Sequence, residues 1–145
     1  MRWKWLKQNP DFFNAYSSVY RPLTNHTNRI LEKHELSSSY WRVIRVLETA
    51  KTKNFGEITD TLHIEKPAVT KILKKLATLG IVEIQRGQDK REKLVMLTAL
   101  GIEKIAEIRA ELNPFLENAL EGLTQEQLMN AIDVLEKIQK NITKY

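Results

Sequence analysis

The sequence predicts a mainly α chain of six helices, interrupted once by a small β-hairpin. Three observations predict it. Apolar residues recur at three- and four-residue spacing over both ends of the 145-residue chain. Between Val82 and Thr98 the spacing changes to two. Capping residues, prolines and glycines stand where the periodic runs begin and end.

The first helix is expected between Asp11 and His34, with Phe13, Tyr16, Val19, Tyr20, Leu23, Ile30 and Leu31 on its apolar face. Pro22 inside it predicts a kink. Ser37 to Ser39 offer N-caps for a second helix, whose apolar face includes Trp41, Ile44 and Leu47. Asn54 and Glu57 have capping-box spacing and predict a short third helix with Ile58 and Leu62 facing inward. His63 and Ile64 then leave only a tight connection. Pro67 suits the first position of a fourth helix, where its missing N–H costs nothing. Val69, Ile72, Leu73, Leu76 and Leu79 form the buried stripe of that helix. Gly80 stops it as a left-handed cap. Its other face carries Thr70, Lys71, Lys74, Lys75 and Thr78.

Val82, Ile84 and Arg86 alternate with their neighbours, as do Leu94, Met96 and Thr98. The polar run from Gly87 to Glu92 between them predicts a turn joining two short strands. Thr98 is placed to cap a fifth helix running past Leu100, Ile105, Ile108, Leu112 and Phe115, with a kink or break at Pro114. Thr124 and Gln127 form a second capping box, opening a last helix with Leu128, Ile132, Leu135, Ile138 and Ile142 on one face.

Charge is distributed unevenly. The formal net charge is +5, yet residues 66–93 alone hold eight lysines and arginines against three acidic residues. Residues 94–145 are net acidic, with eight acidic groups against five basic ones. A local basic block of this kind is an electrostatic footprint for a polyanion. The chain has no cysteine, which excludes disulfides, thiol redox sensing and cysteine metal sites. The N-terminal residues lack the apolar run of a secretory signal, and no window approaches the ~20 apolar residues of a membrane helix. A soluble, cytoplasmic setting without membrane partners is expected.

Two helices joined by a few residues, the second of them basic, form a helix-turn-helix pattern, and the hairpin that follows adds a wing. A helix that enters a major groove must be short, accessible and positive on its outer face. The helix from Lys66 to Leu79 meets those terms. Thr70, Ala68 and Lys71 are its candidates for base-edge contact. Lys66 and Pro67 stand at its entry, and Lys74 and Lys75 are candidates for phosphate contact, which sets affinity without reading sequence. On the wing, Arg86, Lys90 and Arg91 can reach phosphates or a narrow minor groove. Asp89 is expected to orient Arg91 or Arg86 by a salt bridge. His26, His34 and His63 lack metal-ligand spacing, and no cofactor or metal is expected.

Taken together, these residues resemble the MarR family of bacterial transcription regulators. The resemblance is carried by Glu57 to Leu62 in the first motif helix, Lys66 to Lys71 at the recognition-helix start, and Leu76 to Val82 at the passage into the wing. Its most specific part is Asp89-Lys90-Arg91 followed by Leu97-Thr98-Ala99-Leu100-Gly101, which matches the family's D-x-R and L-T-x-x-G wing signature. The chain departs from the family at Thr59 and Asp60, where small residues are frequent, and at Lys66, Pro67 and Ala68, where Ser or Thr is common. Lys71 stands where Arg is often found, which weakens bidentate guanine readout.

The resemblance implies a single domain over residues 1–145 that assembles as an intertwined homodimer. Residues 1–36 and 99–145 would be its dimerisation helices, and 37–98 its winged helix-turn-helix lobe. It implies a repressor of double-stranded DNA with a roughly palindromic operator, released by a small aromatic effector. Tyr16, Tyr20, Tyr40 and Trp41 are the candidates for lining an effector pocket; an ordinary aromatic core is the competing reading. Trp3 and Trp5 could pack across the dimer interface. Two rival functions remain, a protein-interaction module and a non-specific DNA binder. The lysines and arginine on the recognition face oppose the first, because an interaction module would present apolar or aromatic residues there. No nucleophile–base set or phosphate-binding glycine loop points to an enzyme.

Overall fold

The computed structural model describes Lys4 and residues 11–50, 53–89 and 91–145. Trp3, Trp5 and Lys90 lie outside the described residues. Those residues form six helices and three strands: α1 (Asp11–Glu32), α2 (Ser38–Glu48), β1 (Lys53–Asn54), α3 (Phe55–Leu62), α4 (Lys66–Thr78), β2 (Val82–Arg86), β3 (Lys93–Leu97), α5 (Ala99–Ala119) and α6 (Gln125–Ile142). Two compact units divide the chain, the first ending at Leu112 and the second running from Asn113 to Tyr145. The division falls inside α5.

The mainly α fold with its hairpin is as the sequence predicts, and the elements stand in the predicted order. Pro22 and Pro114 lie inside helices that run on through them, so neither proline ends its helix. The start of α2 differs from expectation. Ser37 occupies the N-cap but its side chain makes no capping bond. Instead the Ser38 amide and hydroxyl both donate to Asn28 Oδ1, at 2.8 and 2.5 Å. The cap is therefore supplied from α1, a tertiary contact that local spacing does not reveal.

The core of the first unit is an apolar cluster shared among all its helices. Leu31 of α1, Val43 and Ile44 of α2, Ile58 of α3, Val69, Leu73 and Leu76 of α4, and Ile108 of α5 are fully buried. Burying each such side chain stabilises the fold by roughly 1.5–3 kcal/mol. This cluster fixes α3 and α4 against α2 and leaves their outer faces to solvent.

A third strand was not expected from the sequence. Lys53 and Asn54 pair antiparallel with Val95 and Leu94, giving the sheet order β1-β3-β2. Two residues are too few to show periodicity, which is why β1 is silent in the sequence. The strand β3 is thus central in the sheet. Val95 is buried and lies opposite Lys53 and Ile84, whereas Leu94 and Met96 are only half-buried.

Candidate nucleic-acid interface

The helix-turn-helix is built from local signals at each junction. Asn54 closes the capping box of α3: its Oδ1 accepts from the Glu57 amide at 2.7 Å, and Glu57 Oε1 accepts from the Asn54 amide at 3.1 Å. His63 ends α3 in the left-handed region, with φ 53°, a conformation that a non-glycine residue adopts at some cost. Three residues, His63 to Glu65, then connect α3 to α4. The helix α4 begins at Lys66, one residue before the predicted start, so Pro67 occupies its second position. At the far end, the Gly80 amide donates to Ala77 O and the Ile81 amide to Leu76 O, both at 3.0 Å, with Gly80 at φ 76°. This is the Schellman arrangement, and it turns the chain directly into β2.

The outward face of α4 is basic. Lys66, Pro67, Ala68, Lys71 and Lys74 are exposed, and Thr70 and Lys75 are half-buried. None of these lysines is in an ion pair among the described residues. Their charges are therefore not neutralised among the described residues. Thr70 Oγ1 donates to Lys66 O at 2.9 Å. Its hydroxyl proton is committed to the helix, which leaves the oxygen as an acceptor and the methyl as an apolar contact. Thr78 does the same toward Lys74 O at 3.0 Å.

The wing follows from the β2–β3 register, with Ile84 opposite Val95 and Arg86 opposite Lys93. The Gly87 amide donates to Glu92 O at 2.8 Å and closes the turn. Asp89 organises the backbone of the tip. Its Oδ1 accepts from the Arg91 amide at 3.1 Å, and its carbonyl from the Glu92 amide at 2.9 Å. The expected salt bridge from Asp89 to Arg91 or Arg86 is absent among the described residues; the carboxylate instead accepts from the Arg91 amide. Arg86 and Arg91 are both exposed, and neither has an acidic partner among the described residues.

Two links that the sequence reading missed hold the wing to the helices. Asn54 Nδ2 donates to Glu92 Oε1 at 3.2 Å, so one asparagine serves both the α3 cap and the base of the wing. The Lys93 ammonium lies 5.8 Å from the Phe55 ring centroid. At the other end of β3, Thr98 Oγ1 donates to Gly80 O and accepts from the Gly101 amide at 2.9 Å. The predicted cap of α5 thus also fastens the recognition-helix turn to the wing.

The four aromatic residues expected to line an effector pocket stand on α1 and α2. Tyr16 and Tyr20 stack at 6.1 Å on the exposed face of α1. Tyr40 is half-buried, and Trp41 is buried with the Arg109 guanidinium 5.3 Å from its ring centroid. The described cavities have other linings. One, of about 650 Å³, lies among Leu47, Ala50, Met96, Leu97, Ile102 and Ile105. Another, of about 450 Å³, lies between α2, the end of α3 and α5 and is lined in part by Arg42, Arg45, Glu48 and Arg109.

Polar links also tie α5 to α2 and to the turn that follows α1. Arg109 makes a paired contact with the Glu48 carboxylate. Glu111 meets Lys33 Nζ at 3.0 Å and His34 Nε2 at 3.3 Å. The Lys33 hydrogen bond, with that of His34 beside it, holds the Glu111 carboxyl below its ordinary range.

Comparison with known proteins agrees with this geometry. Residues 34–92 match a family model described as MarR family. The chain is 37% identical over 118 residues, 81% of its length, to an uncharacterised helix-turn-helix transcriptional regulator of Bacillus subtilis, YwoH, and spans 86% of that protein. It is also similar to a Staphylococcus aureus MarR protein solved with salicylate and kanamycin, at 28% identity and a TM-score of 0.81, covering 97% of this chain and 96% of that one. The fold is shared as well by a cysteine-to-serine variant of E. coli MarR solved with operator DNA, at 21% identity and a TM-score of 0.77, covering 92% of this chain and 96% of that one.

Proposed function

The chain belongs to the MarR family of transcriptional regulators, and from that premise we propose that it is a dimeric repressor that binds an inverted-repeat site on double-stranded DNA and is released by a small ligand. The observation that carries the DNA-binding part is the unpaired basic face of α4, continued by Arg86 and Arg91 on the wing. In this reading α4 enters the major groove. Ala68, Thr70 and Lys71 meet base edges, Lys66, Lys74 and Lys75 meet phosphates, and the wing arginines grip the flanking backbone or minor groove. Lys90, next to Arg91 in the sequence, would act with them.

Dimerisation is supported by apolar surface that neither unit covers by itself. On α1, Phe13, Tyr16, Val19 and Tyr20 are each more than half exposed, between 51% and 62%. On α6, Met129, Ile132 and Ile142 are exposed by 54% to 62%. Patches of this kind mark association surfaces, and a two-fold dimer matches an inverted repeat. Residues 1–36 and 99–145 are assigned to that interface and 37–98 to the DNA-binding lobe. Tyr16 and Tyr20 then belong to the dimer contact, where a ligand that changes the spacing of the two α4 helices would weaken operator binding. The protein is read as cytoplasmic and as having no catalytic activity of its own.

The test is selection of DNA from a random pool by the purified protein at near-physiological salt. An enriched inverted repeat is expected. Binding without enrichment would replace this reading with a non-specific binder, and absence of binding would favour a protein-interaction module.

A further inference from the structure

Glu92 stands where an acidic residue should be a handicap. It lies between Arg91 and Lys93 on the wing, with Arg86 opposite Lys93 across the ladder. A carboxylate on a surface that meets a polyanion lowers affinity by repulsion. Glu92 is half-buried and has no ion pair among the described residues. Its Oε1 instead accepts from Asn54 Nδ2 at 3.2 Å, 38 residues away in the chain. The cap of α3 sets the polarity of that bond. Asn54 Oδ1 is taken by the Glu57 amide at 2.7 Å, so the amide nitrogen is what faces the wing. The backbone of Glu92 closes the turn on both sides, its amide donating to Asp89 O at 2.9 Å and its carbonyl accepting from the Gly87 amide at 2.8 Å. Gly87 leaves room for the side chain, because a Cβ there would stand 2.9 Å from Glu92 Oε2. Lys93 adds its contact with Phe55, so residues 54 and 55 meet residues 92 and 93 pairwise. The strand β1 pairs only with Leu94 and Val95, and nearer the tip the wing is a two-stranded ribbon. Such a ribbon is marginally stable by itself. The Glu92–Asn54 bond lies on that unsupported side.

We propose that Glu92 is a positioning residue for DNA binding: through Asn54 it holds the wing on the start of α3, so that Arg86 and Arg91 are presented at a fixed offset from α4. The role in DNA binding rests on the reading above. Three residues join α3 to α4, so a tether at the start of α3 refers the wing to the motif that carries the recognition helix. Arginines on a held wing lose less freedom when they meet phosphate. That gain offsets the repulsion of the carboxylate. The two effects have opposite signs, which makes the role open to measurement. If charge alone mattered, removing Glu92 would tighten DNA binding; if position matters more, removing it weakens binding.

The experiment compares three variants of the intact protein, by titration of a fluorescent DNA duplex taken from the random-pool selection and by NMR relaxation without DNA. Glu92→Ala removes the bond and a negative charge. Asn54→Ser keeps an oxygen for the α3 cap, loses the donor and leaves the charge unchanged. Each should weaken DNA binding by about fivefold to tenfold, as loss of a hydrogen bond to a charged group implies. Each should also lower the salt slope by about one, the share of one phosphate contact. Glu92→Gln keeps the acceptor without the charge and should bind as tightly as the parent or more so. In the free protein, order parameters at Gln88, Asp89 and Arg91 should fall in Glu92→Ala and Asn54→Ser and hold in Glu92→Gln. Unshifted α4 resonances would verify the fold of each variant. Unchanged or tighter DNA binding by Glu92→Ala, unaltered wing order in both disrupting variants, or a Glu92→Gln protein as weak as Glu92→Ala would overturn the proposal. A parent protein that binds no DNA would instead sink the DNA-binding reading, and the relaxation data would still decide whether the bond holds the wing.

Discussion

At Gly101 the α5 backbone passes so close to Ile81 that a Cβ would stand 2.1 Å from the Ile81 carbonyl oxygen. No side chain fits without moving backbone. The same amide group is capped by Thr98, which also reaches Gly80 O. The threonine and glycine of the L-T-x-x-G run therefore have a common physical reason: together they clamp the start of α5 onto the turn that ends α4. Their spacing was legible in the sequence, but the close approach was not, since it depends on two segments separated by the wing. Gly101→Ala should destabilise the protein by about 1–3 kcal/mol, the usual cost of overpacking, with more if the backbone cannot shift. Urea unfolding checks this, and an unchanged midpoint would remove the clamp. Arg91 tests the other side of function. It is exposed, and the turn holds its backbone and not its guanidinium. Arg91→Ala should weaken DNA binding strongly and leave unfolding unchanged; unaltered affinity by fluorescence anisotropy would dismiss the wing contact.

At the scale of elements, α4 separates what periodicity reveals from what it conceals. Its basic face and the buried Val69, Ile72, Leu73 and Leu76 follow from residues three and four apart, and Gly80 marks its stop; Leu79, expected in the stripe, is only half-buried because it caps the helix. The strand β1, the Asn28 cap on α2 and the Asn54–Glu92 link were not, because each joins residues that no local repeat relates. The arginine-lined groove was hidden for the same reason, with Arg109 lying more than sixty residues from Arg42 and Arg45 in the chain. On α4, Lys74 is assigned to phosphate. Lys74→Ala should lower affinity for every sequence alike and reduce the salt slope by about one. Selective loss at one operator position would reassign it to base readout. A second element-level prediction concerns α5 and the turn after α1, joined by Glu111 with Lys33 and His34. A carboxyl whose folded pKa is depressed stabilises the fold above its unfolded pKa, near 4.5 for Glu111, and loses that contribution as pH falls through the folded value. Glu111→Gln should therefore be less stable than the parent near neutrality, with the gap closing as pH drops below about 4.5. Because the pair is exposed, the effect should be small and shrink with salt. Unfolding midpoints measured from neutral pH down to about pH 3 would decide it, and a gap that widens in acid would contradict the sign.

At the scale of the whole molecule, the proposed mechanism needs two recognition helices held at a fixed separation. A single α4 with a few lysines can supply only weak, salt-sensitive affinity. Two copies on one rigid dimer add their contacts on one DNA duplex, and the operator then reads the distance between them as well as the bases. The apolar face of α6 is the part of this proposal most open to direct attack. Ile132 and Leu135 are exposed by 54% and 44%, and no residue of α6 is buried within the chain. They lie three apart on a helix that opens with a complete capping box, Thr124 accepting from the Gln127 amide at 3.1 Å and Gln127 accepting from the Thr124 amide at 2.9 Å. The helix therefore has its own start signal. Charges on its outer face should leave it formed, because exposed glutamate is a good helix former. The double variant Ile132→Glu, Leu135→Glu should sediment as a monomer while keeping the helical signal of the parent. If dimerisation sets the operator geometry, that monomer should retain weak binding with a shallower salt slope and lose its preference for an inverted repeat over a half-site. A variant that remains a dimer would move the interface off α6. A clean monomer with undiminished operator preference would separate sequence reading from dimerisation and place all of the specificity in one α4 and one wing.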